Sequence, residues 1–313
     1  MRSPMPPVEL LQMIGNTPLV RLKRLSPRRG VSVYAKLEGQ NPSGSIKDRV
    51  VLGMIRAAEH RGDLRPGMTI VEASSGNTAI ALAMIGKQMG YSASVVVPKD
   101  AAPNIGDILN AYGAEVVWCE SRGGMKGAIE QAREMGARAG CYYLGQFVDQ
   151  VNIQTHYECT GKEIAEALDR IDVFVAGIGT SGTIMGVGRR LREKFPQVRI
   201  IGVEPQMGER LQGLRNISEG YMPSLLDMDM LSGRFLLDSA SAIRATHRII
   251  QSEGILAGVS AGATVHVAMR LAEKMDEGNI VVMFSDGAWK YLPARPWDAA
   301  ARGDEQLDET YWW

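Results

Sequence analysis

The chain has 313 residues, 45% hydrophobic and 22% charged, which is ordinary for a globular protein and long enough for two domains of about 150 residues each. Its 35 basic and 35 acidic residues cancel, which argues against a nucleic-acid-binding or membrane-surface role and for a small substrate. No apolar run has the length of a membrane span, and the start MRSPMPPVELLQM lacks the apolar core of a signal peptide, so a cytoplasmic protein is expected.

Short β-branched runs alternate with longer segments of helical period. Val31 to Glu38 reads as a strand, and Lys47 to Gly62 as a helix, because Val51, Met54, Ile55 and Ala58 recur at three- and four-residue spacing. Strand MTIVEA, a helix from Asn77 to Met89, strand SASVVVP, a helix from Pro103 to Tyr112, strand AEVVWC and a helix from Gly124 to Ala139 follow. The second half repeats the style. DVFVAGI is a strand, Thr183 to Lys194 a helix, VRIIGVEP a strand, Ala240 to Ser252 and Ser260 to Lys274 helices, and NIVVMFS a strand. Such alternation predicts the α/β class, with two open parallel sheets covered by helices on both faces and a ligand cleft between them. Cys119, Cys141 and Cys159 stand at no metal-ligand spacing and are expected to be buried, reduced thiols. The single histidines His60, His247 and His266 are assigned no role.

Ligands of open α/β sheets sit beyond the carboxyl ends of the strands, so the loops that follow strands carry the information. The loop Asn41 to Arg49 brings Lys47 to a helix start, where the positive end of the macrodipole should lower its pKa and make it an amine nucleophile. Alone, this also fits a solvated charge. Glu72 to Ala79 gathers Ser74, Ser75, Asn77 and Thr78 with free backbone N–H groups at another helix start, a site for a carboxylate or phosphate; simple N-capping is the alternative. Gly177 to Thr183 forms a glycine- and hydroxyl-rich phosphate cradle without the lysine of a Walker loop or the spacing of a dinucleotide loop. Gly254 to Ala263 is taken as a further strand-to-helix turn with Ser260 at its centre. A lysine amine, a carboxylate site and a phosphate cradle without a metal cluster point to pyridoxal phosphate.

Together these motifs resemble the cysteine synthases (O-acetylserine sulfhydrylases), pyridoxal-phosphate enzymes of fold type II, the tryptophan synthase β-like family. IGNTPLV from Ile14, PSGSIKDR, SSGNT, Gln146-Phe147, His156-Tyr157 with Thr160-Gly161, GTSGT, EGILAGVSAGA and WKYL occur in family order, from Ile14 to about Leu292. The resemblance implies that Lys47 holds the cofactor and is the catalytic base. It implies that Asn77 meets the ring hydroxyl, that Gly179, Thr180, Ser181, Gly182 and Thr183 cup the phosphate, and that Ser260 faces the ring nitrogen. Ser74, Ser75, Gly76, Asn77, Thr78 and Gln146 would grip the substrate carboxylate. A serine at the ring nitrogen is a neutral partner, which suits β-elimination better than long-lived carbanion chemistry.

The end Ser285 to Leu292, with Gly287, resembles the B-type branch, as does Gly213-Leu214-Arg215-Asn216. Arg215 would line the substrate entrance and, in a subset of relatives, selects O-phosphoserine over O-acetylserine; a surface arginine is the alternative. Ser74 and Ala79 depart from the family's threonine and glycine, and 102–107 departs from its Ser-x-Glu-Arg-Arg stretch. The implied domains are a smaller one at 39–150, with a mobile part at about 92–136, and a larger one at 14–38 plus 151–292, followed by a tail at 293–313. A homodimer is implied, and the sulfur donor is sulfide, thiosulfate or a thiocarboxylated sulfur-carrier protein. The rival readings are cystathionine synthesis or serine dehydration on the same fold, and a non-catalytic binding scaffold.

Overall fold

A computed structural model describes residues 8–26, 30–99, 101, 104–120, 124–209, 211–219 and 222–294. Its strands are β1 (Leu19–Arg21), β2 (Val31–Leu37), β3 (Thr69–Ala73), β4 (Ser92–Pro98), β5 (Glu115–Cys119), β6 (Cys141–Tyr143), β7 (Val173–Gly177), β8 (Arg199–Pro205), β9 (Gly233–Leu237) and β10 (Gly278–Phe284). Its helices are α1 (Lys47–Arg61), α2 (Asn77–Met89), α3 (Asn104–Tyr112), α4 (Met125–Gly136), α5 (Val151–Thr155), α6 (Lys162–Ala167), α7 (Gly182–Lys194), α8 (Ser239–Glu253) and α9 (Val259–Ala272). A π-helical turn, His156–Gly161, joins α5 to α6.

The strands form two sheets, one in the order β1-β2-β10-β7-β8-β9 and one in the order β5-β4-β3-β6. The smaller sheet is parallel throughout; in the larger, β1 alone runs antiparallel, against β2. The inner strands β4, β8 and β10 are buried almost end to end because helices cover both faces of their sheets. Successive strand side chains point to opposite faces, so Val173 and Val175 of β7 join the core beneath α8 and α9, while Phe174 and Ala176 join the one beneath α7. The smaller sheet is sandwiched in the same way, by α1, α2 and α3 on one face and by α4 on the other.

The strongly periodic elements stand within a few residues of their sequence expectation. Three short strands (β1, β6, β9) and the helical run 151–167 are additional. β1 and β6 have three residues each, too few to show a period, and β9 is an edge strand whose Phe235 and Leu236 are exposed. Two expectations need correction. The stretch from Gly254 is no strand-to-helix turn: Gly254 ends α8 in the left-handed conformation, and 255–258, with an isolated bridge from Ala257 to Gly287, lead into α9. Of the cysteines only Cys119 is buried; Cys141 is half-buried and Cys159 exposed, all three as free thiols. Among the described residues no His/Cys/Asp/Glu group could hold a metal ion, and no helix is long and apolar enough to cross a membrane. The chain beyond residue 294 lies outside the described residues.

The IGNT segment and α1 are tied together by a buried ionic cluster. The Arg49 guanidinium donates from Nε to Glu38 at 2.7 Å and from Nη1 to Glu163 at 2.6 Å, and Lys36 Nζ reaches Glu163 at 2.6 Å. Thr17 Oγ1 donates to Glu38 at 2.6 Å, and Asn41 Nδ2 donates to the same carboxylate at 2.9 Å. Glu38 is fully buried, so removing its partner strands a charge. Arg49→Met should therefore cost about 3–5 kcal/mol in urea denaturation at neutral pH. Burial alone would raise the Glu163 pKa, but the hydrogen bonds and charges of Arg49 and Lys36 outweigh it and hold the carboxyl at about 2. A carboxyl with a depressed folded-state pKa stabilises the fold above its unfolded value, so this contribution should decline as pH falls through about 4 towards 2.

Candidate active site

The carboxyl ends of the strands converge on a cleft of about 390 Å³. Lys47, Ser74, Ser75, Gly76, Asn77, Thr78, Gln146, Gly179, Thr180 and Arg215 all line it. Each follows a strand: β2 leads to Lys47, β3 to the 74–78 loop, β6 to Gln146, β7 to 179–180 and β8 to Arg215. Ser181, Gly182, Thr183 and Ser260 are not part of this lining. Gly182 and Thr183 open α7, and Ser260 is buried in the first turn of α9.

Lys47 is held by its surroundings on both sides. Ser43 donates its backbone N–H to Asp48 at 2.7 Å and its hydroxyl to the same carboxyl, which closes the loop onto α1. The backbone N–H of Ile46 donates to Ser285 O at 2.8 Å, linking the loop to the end of β10. The Lys47 amine donates to Thr180 Oγ1 at 3.3 Å, across from the 179–183 loop. Burial is the main cause that brings its pKa down to about 8; the Glu72 charge opposes the fall and Arg215 assists it. Position at the helix start was the reason read from sequence; in the fold, burial is the main cause of the lowered pKa.

Glu72 was not singled out from sequence. It is fully buried at the end of β3, accepting the backbone N–H of Ala73 at 2.8 Å and of Gln146 at 3.0 Å. Burial pushes its pKa up to about 7 against those bonds and the Lys47 charge. A lone acid in the apolar strand TIVEA was the available signal, since a buried acid needs partners.

The 74–78 loop is partly self-satisfied. Ser74 Oγ accepts the N–H groups of Gly76 at 3.2 Å and Ala79 at 3.3 Å, so it caps α2 while its proton stays available. Ala79 is fully buried in the core of the smaller sheet, so its methyl packs inward. Thr78 Oγ1 donates to Gln146 Oε1 at 2.7 Å, and Gln146 Nε2 donates to Ala73 O at 3.2 Å. Asn77 Nδ2 donates to Asp286 at 2.7 Å and its Oδ1 accepts from Lys290. Asp286 also accepts from Tyr291 at 2.6 Å. Asp286, Lys290 and Tyr291 served only as branch markers in the sequence. Asn104, in the departing 102–107 stretch, donates to Lys290 O at 3.1 Å and so ties α3 to the same segment; 102 and 103 lie outside the described residues.

The 179–183 loop has the features of an anion cup. Ser181 sits at φ 70, a left-handed conformation uncommon outside glycine, and its buried Oγ has no hydrogen-bond partner. A Cβ on Gly179 would overlap Gly213 O, so only glycine lets the backbone lie so close. A phosphate would meet the Thr180 and Ser181 hydroxyls and the first N–H groups of α7, which fits the group expected. Thr183 Oγ1 instead meets His156 Nε2 at 3.1 Å, and His156 Nδ1 meets Thr160 at 3.0 Å. Burial, then the Lys47 and Arg49 charges, hold the His156 imidazole pKa well below its ordinary value, so His156 is a neutral link between α7 and the π-helical turn. The Arg215 guanidinium lies 5.4 Å from the Phe147 ring centroid, stacked at the cleft wall.

Comparison with known proteins agrees with this geometry. A family model described as pyridoxal-phosphate dependent enzyme matches residues 10–286. A cysteine synthase of Staphylococcus aureus is 37% identical over 282 residues, covering 87% of this chain and 91% of the relative. A cysteine synthase B of Pseudomonas aeruginosa is 38% identical over 286 residues, 91% of this chain and 96% of the relative. The crystal structure of an O-ureido-L-serine synthase superposes with a TM-score of 0.89 at 36% identity, covering 96% of this chain and 98% of that one.

The pair of shifted groups gives a test in the cofactor-free protein. Lys47 should titrate near pH 8 by NMR after reductive ¹³C-methylation, well below exposed lysines. Glu72→Gln should move that midpoint lower, because it removes the negative charge that favours the ammonium.

Proposed function

This chain belongs to the pyridoxal-phosphate dependent enzymes, and we propose that it is a cysteine synthase, replacing the β-substituent of an activated L-serine with sulfur. The observation that supports this most is one cleft in which a buried amine of lowered pKa faces both the 179–180 cup and the 74–78 carboxylate loop. In this reading Lys47 would hold the cofactor, Thr180, Ser181 and the start of α7 would hold its phosphate, and Asn77 and Ser260 would serve its ring hydroxyl and ring nitrogen. Bound there, pyridoxal phosphate supplies the electron sink that lets the β-substituent leave.

The chain's own residues do the rest. Ser75, Thr78 and Gln146 orient the substrate carboxylate, with N–H groups of the α2 start as further donors. Lys47 would take the proton from the substrate Cα. A pKa near 8 suits that task, since a useful fraction is unprotonated at neutral pH. Arg215 stands at the wall where a leaving phosphate or acetate passes, and its guanidinium favours O-phospho-L-serine over O-acetyl-L-serine. The smaller unit, 39–150, carries α2 and the smaller sheet, and the larger, 14–38 plus 151–292, carries the cup. Inward movement of 92–136 would exclude water from the cleft. The reading includes a cytoplasmic homodimer supplied with sulfide, thiosulfate or a thiocarboxylated sulfur carrier.

The test is cysteine formation by the holoprotein from each serine ester with sulfide. Lys47→Ala should lower the rate by at least about 10²–10⁴-fold. Arg215→Ala should raise KM for O-phospho-L-serine about 10-fold or more and leave that for O-acetyl-L-serine nearly unchanged. If neither ester yields cysteine, the assignment fails. Formation of O-ureido-L-serine instead would favour a second reading, which the structural likeness to that synthase supports.

A further inference from the structure

Asn152, at the start of α5, is completely buried and belongs to none of the loops read as binding loops. Its Nδ2 makes two hydrogen bonds, donating to Gln146 O at 2.8 Å and to Thr180 Oγ1 at 3.1 Å. Thr180 Oγ1 also accepts from Lys47 Nζ at 3.3 Å. A hydroxyl has two lone pairs and one proton. Asn152 occupies one of those lone pairs and, in the cofactor-free protein, Lys47 occupies the other, so that Thr180 offers its proton. The open direction about that oxygen is the cleft that Thr180 lines.

The amide cannot turn over. Reversed, its oxygen would face Gln146 O, acceptor against acceptor. In the orientation observed, Asn152 Oδ1 has no partner and lies against Gly182, where any Cβ would overlap it. A buried acceptor without a partner is costly, so something must favour keeping the donor on Thr180. The same Nδ2 holds the backbone of Gln146, whose side chain meets Thr78. One amide thus touches both halves of the cleft.

We propose that Asn152 is a positioning residue that commits the Thr180 hydroxyl as a donor to the cofactor phosphate and keeps that hydroxyl in register with Gln146. The inference rests on 179–183 being the phosphate cup. Without the amide, the Thr180 proton is free to turn to another acceptor, and the cup loses an aligned donor to a dianion.

The experiment is a binding cycle on the apoprotein, read by absorbance, with pyridoxal phosphate and with pyridoxal, which lacks the phosphate. Asn152→Leu keeps the volume and removes the donor. It should weaken pyridoxal phosphate binding about 10-fold, the scale of one charge-assisted hydrogen bond, and leave pyridoxal binding unchanged. Thr180→Val should weaken it at least as much, and the double variant no further than Thr180→Val alone. Effects that multiply in the double variant, or an equal loss for pyridoxal, would mean a general structural role and overturn the proposal. Asn152→Ala, carried through the same cycle, decides the matter if circular dichroism shows Asn152→Leu unfolded. Wild-type apoprotein that binds no pyridoxal phosphate would overturn the cup reading, and this inference with it. Wild-type protein that binds it, with multiplying effects, overturns the role of Asn152 alone.

Discussion

The site depends on Arg49, two residues beyond the lysine that faces the cleft. Its guanidinium bridges Glu38, at the end of β2, and Glu163, on α6. A planar fork of donors can serve two carboxylates at once, as a lysine cannot. The bridge fixes the first turn of α1 against both the amino-terminal segment and the helix after the π turn. Gly15 and Asn16 take positive φ angles that turn IGNT into this cluster, where Lys36 Nζ donates to Thr17 O at 2.6 Å and Asn16 N–H to Glu163 at 3.0 Å. The motif's role is architectural: it anchors the helix that presents Lys47.

The second constraint is desolvation. Lys47 and Glu72 are opposite charges in surroundings that disfavour both, and each limits the shift of the other. The result is an amine ready to lose its proton near neutrality and a carboxyl near its own midpoint. Asp48, adjacent to Lys47, is also displaced: burial raises it to about 6 against the bonds from Ser43 and the Lys290 charge. Of these groups only Lys47 lines the cleft; Glu72 and Asp48 lie buried behind it and set the charge around the amine.

Beside the cleft, a polar cluster joins segments far apart in the chain. Asn77 at the head of α2 meets Asp286 and Lys290 beyond β10, and Asn104 at the head of α3 meets Lys290 O. Together they join helices of the smaller sheet to the last segment of the larger one.

The sequence alone determined the alternation of strands and helices, because side-chain period is a local property. It also located Lys47, the 74–78 loop and the 179–180 turn, because ligand loops follow parallel strands and these follow β2, β3 and β7, whereas Gln146 and Arg215 were marked only by the family resemblance. Ser260 was set among such turns, yet it follows a helix, and a Gly-rich turn reads the same after either element. Only the tertiary structure decided which polar residues act together. Arg49 and Glu163 are 114 positions apart, Asn77 and Asp286 are 209 apart, and Asn152 and Thr180 are 28 apart. No local pattern marks such partners. Burial and pairing, the quantities that set a pKa or orient a hydroxyl, exist only once the two sheets have closed around the cleft.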